Sequence, residues 1–399
     1  MVQGESVKNM DILYLGYFCN ESLFNTLVKK GSNSSHARQQ FERKLLCGLK
    51  ENMKDNSIHI RSYLPLMDRH LRKINGENYC GYDIDYMWCE KRIDGVLNAL
   101  ISNKKYIENW ASRSGGKKVI LTYSANPLHC IPAMLLRRKY GYKVVTISSE
   151  ISVFRRPPKN LILFWIWKKI SFYLENNFDA YILLSKYMNN VVNTRNKPYI
   201  VMEGFSEPEI HLDNDALTTK NKMIFFYAGW LSEDNGIKIL VEGFRYVTHK
   251  DMELWICGGG GLVNYVKEQA EKDPRIKYLG IKPNEEVQRL ERKASFLINP
   301  RFSNEEYTKY SFPSKTLEYM STGTPTILTR LKGIPEEYFD YSIVLENEST
   351  EGIKSLLENI RRIPYEDYTL LGKRALDFVS KNKTPMIQVR RIMEFVYNL

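Results

Sequence analysis

Lys315 and Glu318 stand three residues apart in the stretch KYSFPSKTLEYMSTGTP, Lys309–Pro325. Pro313 suits a first helical turn, where its missing N–H is not needed, and Ser311 or Ser314 can cap that turn. Leu317 and Met320 would face inward, Gly323 would end the helix, and Pro325 would stop it from resuming. Such a helix places the Lys315 ammonium beside the Glu318 carboxylate. Its leading N–H groups and partial positive charge favour a phosphate. Lys315, with Arg301 at the preceding strand end, can neutralise a departing diphosphate. A carboxylate slightly deeper can accept two hydrogen bonds from a ribose diol. The same spacing also describes a surface ion pair on an ordinary helix, which contributes little.

Three loops must position these groups: AGWLSEDNG after a strand at 223–228, GGGG at Gly258–Gly261, and NPRFSNEEYTKYSFPSK after a strand at 296–298. If the strands are parallel, all three loops open on one edge, where ligands of such sheets bind. Gly258–Gly261 is not the dinucleotide fingerprint, because Val263 stands where the third glycine is required. Four glycines let a backbone approach a ligand closely, and they equally suit a tight turn.

Strand and helix patterns alternate along the chain. Strands are expected at 11–17, 57–63, 119–123, 143–148 and 180–184, with helices at 38–49 and 131–140. The second half repeats the pattern: strands at 223–228, 254–257, 276–279, 296–298, 326–328 and 342–344, with helices at 236–246, 262–271 and 285–292. Short β-branched runs between helices point to parallel sheets covered on both faces. The expected fold class is α/β, with two Rossmann-like doubly wound domains facing a central cleft. The domains are 1–205 and 223–380. The polar segment 206–222 links them, and a terminal helix at 381–399 packs back on the first domain.

A chain of 399 residues suits two such domains. The net charge of +12 favours an anionic partner. The basic residues are scattered and form no nucleic-acid motif. Six cysteines without a C-x-x-C pair read as reduced thiols of a cytoplasmic protein. Neither they nor the six histidines have zinc spacing, so no metal site is expected. The N-terminus lacks signal-peptide character, and no apolar run is long enough to span a bilayer.

The residues NPR…YTKYSFPSKTLEYMSTGTPTIL…GIPEEY resemble the donor-site signature of family-4 glycosyltransferases of the GT-B fold. FFYAGWLSEDNGIKILVEGF, ELWICGGGG and DAYILLSKYMNNVV…VMEGF support the likeness, which is specific from about Phe178 to Tyr338. It is strongest to bacterial members that build exopolysaccharide, capsule or O-antigen. The resemblance implies metal-independent, retaining transfer from a nucleotide-diphosphate sugar to a glycan or polyprenyl-diphosphate-linked acceptor, with no cofactor. Glu318 matches the second glutamate of the family's E-x7-E motif and would bind the ribose. Lys315 and the amides after Pro313 and Ser314 would meet the diphosphate, while Gly229, Gly258, Gly259 and Gly260 would line the nucleotide cleft. Tyr310 stands where the first glutamate belongs. Trp230 and Asn235 stand where the family often has an arginine and a lysine. Arg301, Lys309 and Lys315 are the substitutes at hand.

In the first domain, Glu150 and Asn126 end strands and face the expected cleft, and Glu150 is a candidate catalytic carboxylate. GSNSSHARQQ, Gly31–Gln40, places Ser35 and His36 ahead of a helix that could border the acceptor; a solvated, capped loop is the simpler reading. His36 and His129 have no visible partner and read as structural. The segment RRPPKNLILFWIWKKISFYL, Arg155–Leu174, combines basic and aromatic residues. It fits a helix lying on an anionic membrane, on the inner face of the cell membrane, and equally a helix buried on the sheet. Two alternatives to a transferase share the fold: a non-catalytic nucleotide- or glycan-binding subunit, and a sugar-nucleotide epimerase.

Overall fold

The computed structural model describes residues 10–32, 35–53, 58–90, 92–113, 115–154, 161–208 and 222–399. It divides into two units, Met1–Phe205 with Pro385–Leu399, and Ser206–Thr384. Most of the linker expected at 206–222 lies outside the described residues.

The first unit runs β1 (Met10–Gly16), α1 (Glu21–Lys29), α2 (His36–Asn52), β2 (Ile58–Pro65), β3 (Gly76–Tyr79), β4 (Tyr82–Cys89), α3 (Ile93–Ser112), β5 (Lys117–Tyr123), α4 (Pro127–Tyr140), β6 (Lys143–Ser148), α5 (Leu161–Glu175), β7 (Ala180–Leu183), α6 (Asn189–Val192) and β8 (Tyr199–Val201). Its sheet has the order β3-β4-β2-β1-β5-β6-β7-β8. Every neighbouring pair is parallel except β3–β4, an antiparallel hairpin at the edge. Sequence periodicity missed that hairpin and α3. Strand β4 does alternate buried Tyr82, Ile84 and Tyr86 with outward Asp83 and Asp85, but its two-residue turn is Cys80-Gly81 rather than a familiar Asn-Gly.

The second unit contains β9 (Met223–Ala228), α7 (Ile237–Arg245), β10 (Met252–Cys257), α8 (Val263–Lys272), β11 (Ile276–Gly280), α9 (Asn284–Lys293), β12 (Phe296–Asn299), α10 (Ser314–Met320), β13 (Thr326–Thr329), β14 (Ile343–Leu345), α11 (Thr350–Arg362) and α12 (Tyr365–Asn382). Its sheet is parallel throughout, in the order β11-β10-β9-β12-β13-β14. Central β9 is buried on both faces. Phe225 and Tyr227 enter one apolar cluster, and Ile224, Phe226 and Ala228 enter the other. This is why MIFFYA reads as a continuous apolar run. Phe225 stacks on Phe296 of β12, with ring centroids 5.1 Å apart, a contact of about 0.5–1.5 kcal/mol beyond its buried area.

The last helix, α13 (Pro385–Tyr397), belongs to the first unit. Its Val389, Ile392, Met393 and Val396 share a core with Leu45, Leu46 and Leu49 of α2. It begins at Pro385 rather than 381 because α12 continues to Asn382, and Pro385 then opens a new helix.

Candidate functional site

The chain starts the second sheet at β9, builds outward through β10 and β11, then returns to β12 on the other side. The carboxyl ends of β9 and β12 therefore flank a topological switch point. The β9–β12 ladder covers only Phe296↔Phe225 and Leu297↔Phe226. Beyond it, the buried Tyr319 hydroxyl accepts from the Ala228 amide at 3.0 Å. A side chain of α10 thus supplies the backbone partner that the neighbouring strand no longer provides.

The glycine loop crosses the loop after β9. Leu231 N–H donates to Gly259 O (2.8 Å), and Leu262 N–H to Leu231 O (3.0 Å). Gly258 has φ 135°, and a Cβ there would lie 1.9 Å from Gly229 O. Gly260 has φ 146°, and a Cβ there would lie 2.3 Å from Leu231 O. The close approach that Gly258 and Gly260 permit is between two loops of the protein itself. A Cβ on Gly259 would meet the Ile281 side chain. The Trp230 carbonyl accepts from Asn235 Nδ2 (2.8 Å) and from the Tyr227 hydroxyl (3.1 Å), while its indole is 66% exposed. Asn235, one of the two positions that lack the family's cation, is therefore a loop clasp.

Helix α10 begins after Pro313, its N-cap, and no side chain caps it. The caps expected from Ser311 and Ser314 do not form. Ser314 opens the helix exposed, and the Ser311 hydroxyl is buried without a partner among the described residues. Lys315 Nζ lies 2.6 Å from Glu318 Oε1, as the spacing predicts. It also lies 3.4 Å from Oε1 of Glu291 on α9. Glu291 is wholly buried, and its Oε2 has no partner among the described residues. Burial first, then the neighbouring Glu318, raise the Glu291 carboxyl, with Lys315 opposing. Burial pulls the Lys315 ammonium down, but Glu318 and Glu291 outweigh it and leave Lys315 raised and charged. Sequence reasoning missed Glu291, since NEEVQRLERK looks like a solvated charged helix.

Arg301 follows β12, its guanidinium 4.9 Å from the centre of the Tyr307 ring. Its Nε is buried without a hydrogen-bond partner among the described residues. Its charge acts on Tyr227, while that of Lys315 acts on Cys257, so both cations lie by the carboxyl ends of strands. Tyr310, where the resemblance calls for glutamate, donates its hydroxyl to Glu306 Oε1 at 3.1 Å, and Lys309 Nζ lies 2.6 Å from Glu306 Oε2. Glu306 thus brings a carboxylate to the Tyr310 hydroxyl, and Lys309 is engaged in an ion pair.

In the first unit, Ser35 caps α2 by accepting from Arg38 N–H at 3.4 Å. His36 packs edge-on against Phe24 at 4.5 Å. Asn126 caps α4 through Leu128 N–H at 2.9 Å, and Glu150 is exposed in the loop after β6. Ser35, Arg38, Gln39, Tyr17, Tyr63 and Met67 line a cavity of about 190 Å³ beyond the carboxyl ends of β1 and β2. His36, Asn126 and Glu150 are not part of its lining. Arg38 lies over the Tyr17 ring at 4.4 Å. Neither Arg38 nor Tyr17 belongs to a recognisable local sequence motif. His129 is buried with Nε2 3.1 Å from Gly16 O, and burial lowers it to about 3, consistent with a structural neutral imidazole. Among the described residues, no group of three or more His, Cys, Asp or Glu is placed to hold a metal ion.

Residues 222–362 match the family model described as glycosyl transferases group 1. No curated protein sequence matches the chain. Solved structures match nearly its whole length. Anabaena HepE in complex with UDP is 12% identical, covers 98% of this chain and 100% of its own, and superposes with a TM-score of 0.65. Sucrose-phosphate synthase from Thermosynechococcus elongatus is 13% identical over 97% of this chain and 98% of its own, with a TM-score of 0.67. A glycosyltransferase from Rickettsia africae is 14% identical over 98% of each chain, with a TM-score of 0.64. The chain has the GT-B fold, and the region that matches the group 1 model lies within its second unit.

Proposed function

We propose that this protein transfers a sugar from a nucleotide-diphosphate sugar to a glycan or polyprenyl-diphosphate-linked acceptor, with retention and without a metal ion, in cell-surface polysaccharide synthesis. One observation carries the reading. Lys315 is held charged between Glu318 and Glu291 on a helix that abuts the switch-point end of β9. The nucleotide sits over the loops at Gly229, Trp230 and Gly258–Gly260. Glu318 turns to the ribose hydroxyls, and Lys315 moves to the diphosphate from its place between Glu318 and buried Glu291. Arg301 shares the charge that grows as the anomeric C–O bond breaks. The acceptor hydroxyl attacks from the same face as the departing diphosphate. Ser35, His36 and Asn126 belong to the acceptor side, to which the cavity adds Arg38 and Tyr17, and Glu150 is the first unit's candidate catalytic carboxylate. UDP in the Anabaena HepE structure, and UDP-glucose in another structure of the same protein, support the choice of donor class.

A thermal-shift panel of UDP-, GDP-, ADP- and dTDP-sugars tests the donor, since a ligand of the native state raises the midpoint. Release of nucleoside diphosphate on adding an acceptor, undiminished by EDTA, tests the chemistry. Nucleotide binding without turnover on any donor would leave a non-catalytic binding subunit as the reading. Interconversion of the donor sugar without an acceptor would indicate the epimerase.

The chain is further proposed to work in the cytoplasm, peripheral on the inner face of the membrane. Residues 155–160 of the basic aromatic segment lie outside the described residues. On α5, Trp165, Ile166, Phe172 and Tyr173 are exposed. With Lys168, Lys169 and Arg195, Trp165, Phe172 and Tyr173 border an apolar groove of about 460 Å³. Cations around an exposed aromatic face complement an anionic leaflet. Among the described residues no helix is long and apolar enough to cross a membrane. Sedimentation with phosphatidylglycerol vesicles, lost at high salt, is the expected result; equal recovery with neutral vesicles would remove the anionic-leaflet reading.

A further inference from the structure

Two of the six cysteines stand apart from the rest. Cys19, Cys89, Cys130 and Cys257 are buried, whereas Cys80 is exposed and Cys47 half-buried. Their sulfurs lie 3.8 Å apart, across 33 residues of sequence. Cys47 is on α2, and Cys80 is in the turn of the β3–β4 hairpin. That turn has φ 52° at Cys80 and φ 81° at Gly81. Two successive positive φ values define the turn type that favours Asn-Gly, and a cysteine occupies its first position at a steric cost. A Cβ on Gly81 would lie 3.1 Å from Lys50 Nζ, so an ammonium stands beside the turn.

From this geometry we infer that Cys47 and Cys80 are a modification site: a thiol pair that closes to a disulfide and fixes the hairpin to α2. Nothing in the proposed sugar transfer requires it. The sulfurs are in van der Waals contact and must approach by roughly 2 Å to bond, within reach of side-chain rotation. A small-molecule disulfide such as oxidised glutathione is the oxidant. The exposed Cys80 thiolate attacks one of its sulfurs and expels the first small thiolate. The Cys47 thiolate then attacks the Cys80 sulfur of the mixed disulfide and expels the second. The protein loses two electrons and two protons, and the oxidant becomes two thiols.

The bond would constrain more than the turn. Tyr79 of the hairpin packs on Phe18 at 4.6 Å, and Glu77 accepts from Asn20. The linked hairpin therefore bears on the loop after β1, whose Tyr17 and Cys19 line the cavity of the first unit.

The native protein, equilibrated with oxidised glutathione and then alkylated in denaturant, is digested without reductant and analysed by mass spectrometry. The expected product is one peptide pair joined through Cys47 and Cys80, absent after dithiothreitol and absent in C47S and in C80S. The oxidised wild-type protein should melt about 5–10 °C higher than the reduced form, and the two serine variants should show no such shift. Separate alkylation of Cys47 and Cys80, glutathione adducts that never resolve, or a Cys80–Cys80 dimer would each overturn the inference. So would a linked pair with no change in melting.

Discussion

Among the described residues two glutamates, one in each unit, are wholly buried, and their partners set them apart. Glu42 on α2 takes the Tyr17 amide on both oxygens, at 3.2 and 2.9 Å. Burial raises it from 4.5 to about 7, against the lowering pull of that amide and of Arg38. Glu291 on α9 offers one oxygen to the Lys315 ammonium and leaves the other unpartnered among the described residues. A buried carboxylate closed onto backbone fixes a loop. One aimed at a lysine that a second carboxylate also holds sets the position and charge of a cation. Equal burial therefore says little about role; the identity of the partner decides it.

The largest expected effect tests the cation itself. Lys315→Ala should lower kcat by roughly ten- to a thousand-fold, measured in single turnovers at saturating donor. A variant with full rate removes Lys315 from the chemistry and leaves Glu291 as structural as Glu42. Next comes Glu318→Ala, which should weaken nucleoside diphosphate binding by about 10–100-fold while the melting temperature holds within a few degrees. Unchanged affinity by calorimetric titration would unseat the ribose assignment. Third, Glu42→Ala strands the Tyr17 amide and should cost about 1–3 kcal/mol in a urea titration with nucleotide affinity intact. Glu291→Gln should instead shift the pH profile of turnover, because Lys315 then keeps only Glu318. If both variants shift that profile alike, the contrast between the two carboxylates fails.

The smallest effect is the pH dependence of stability. The native state holds the Glu42 proton more tightly than the unfolded chain, so this group stabilises fully below about 4.5. Its contribution declines as pH rises to about 7. Over that window, Glu42→Gln should melt with a shallower fall than the wild-type protein. An identical slope would mean that folding leaves the proton affinity of Glu42 unchanged.

Much of this site was legible in the chain. Lys315 and Glu318 meet because three residues make nearly one helical turn, and β9 reads as doubly buried because all six of its residues are apolar. The capping role assigned to Ser311 and Ser314 did not survive, since capping depends on the path of the preceding turn, and Pro313 takes the N-cap. The glycine loop reads as a ligand cradle or as a turn; the fold adds that Gly258 and Gly260 pass within reach of the loop after β9. Glu291 resembles its charged neighbours Glu285 and Glu286, and only burial separates it from them.

By itself, then, the sequence determined the alternation of strands and helices in the second half, the start and end of α10 to within a residue or two, and the pairing of a lysine with a carboxylate on it. Those features depend on residues within one or two turns of each other, where backbone geometry dictates who are neighbours. Only tertiary structure decided that Glu291, 24 residues before Lys315, shares its charge. It also decided that Cys47 meets Cys80, that Tyr319 completes the end of β9, and that Trp165 faces outward. Contacts across such separations arise from how sheets and helices stack, and no local period encodes them.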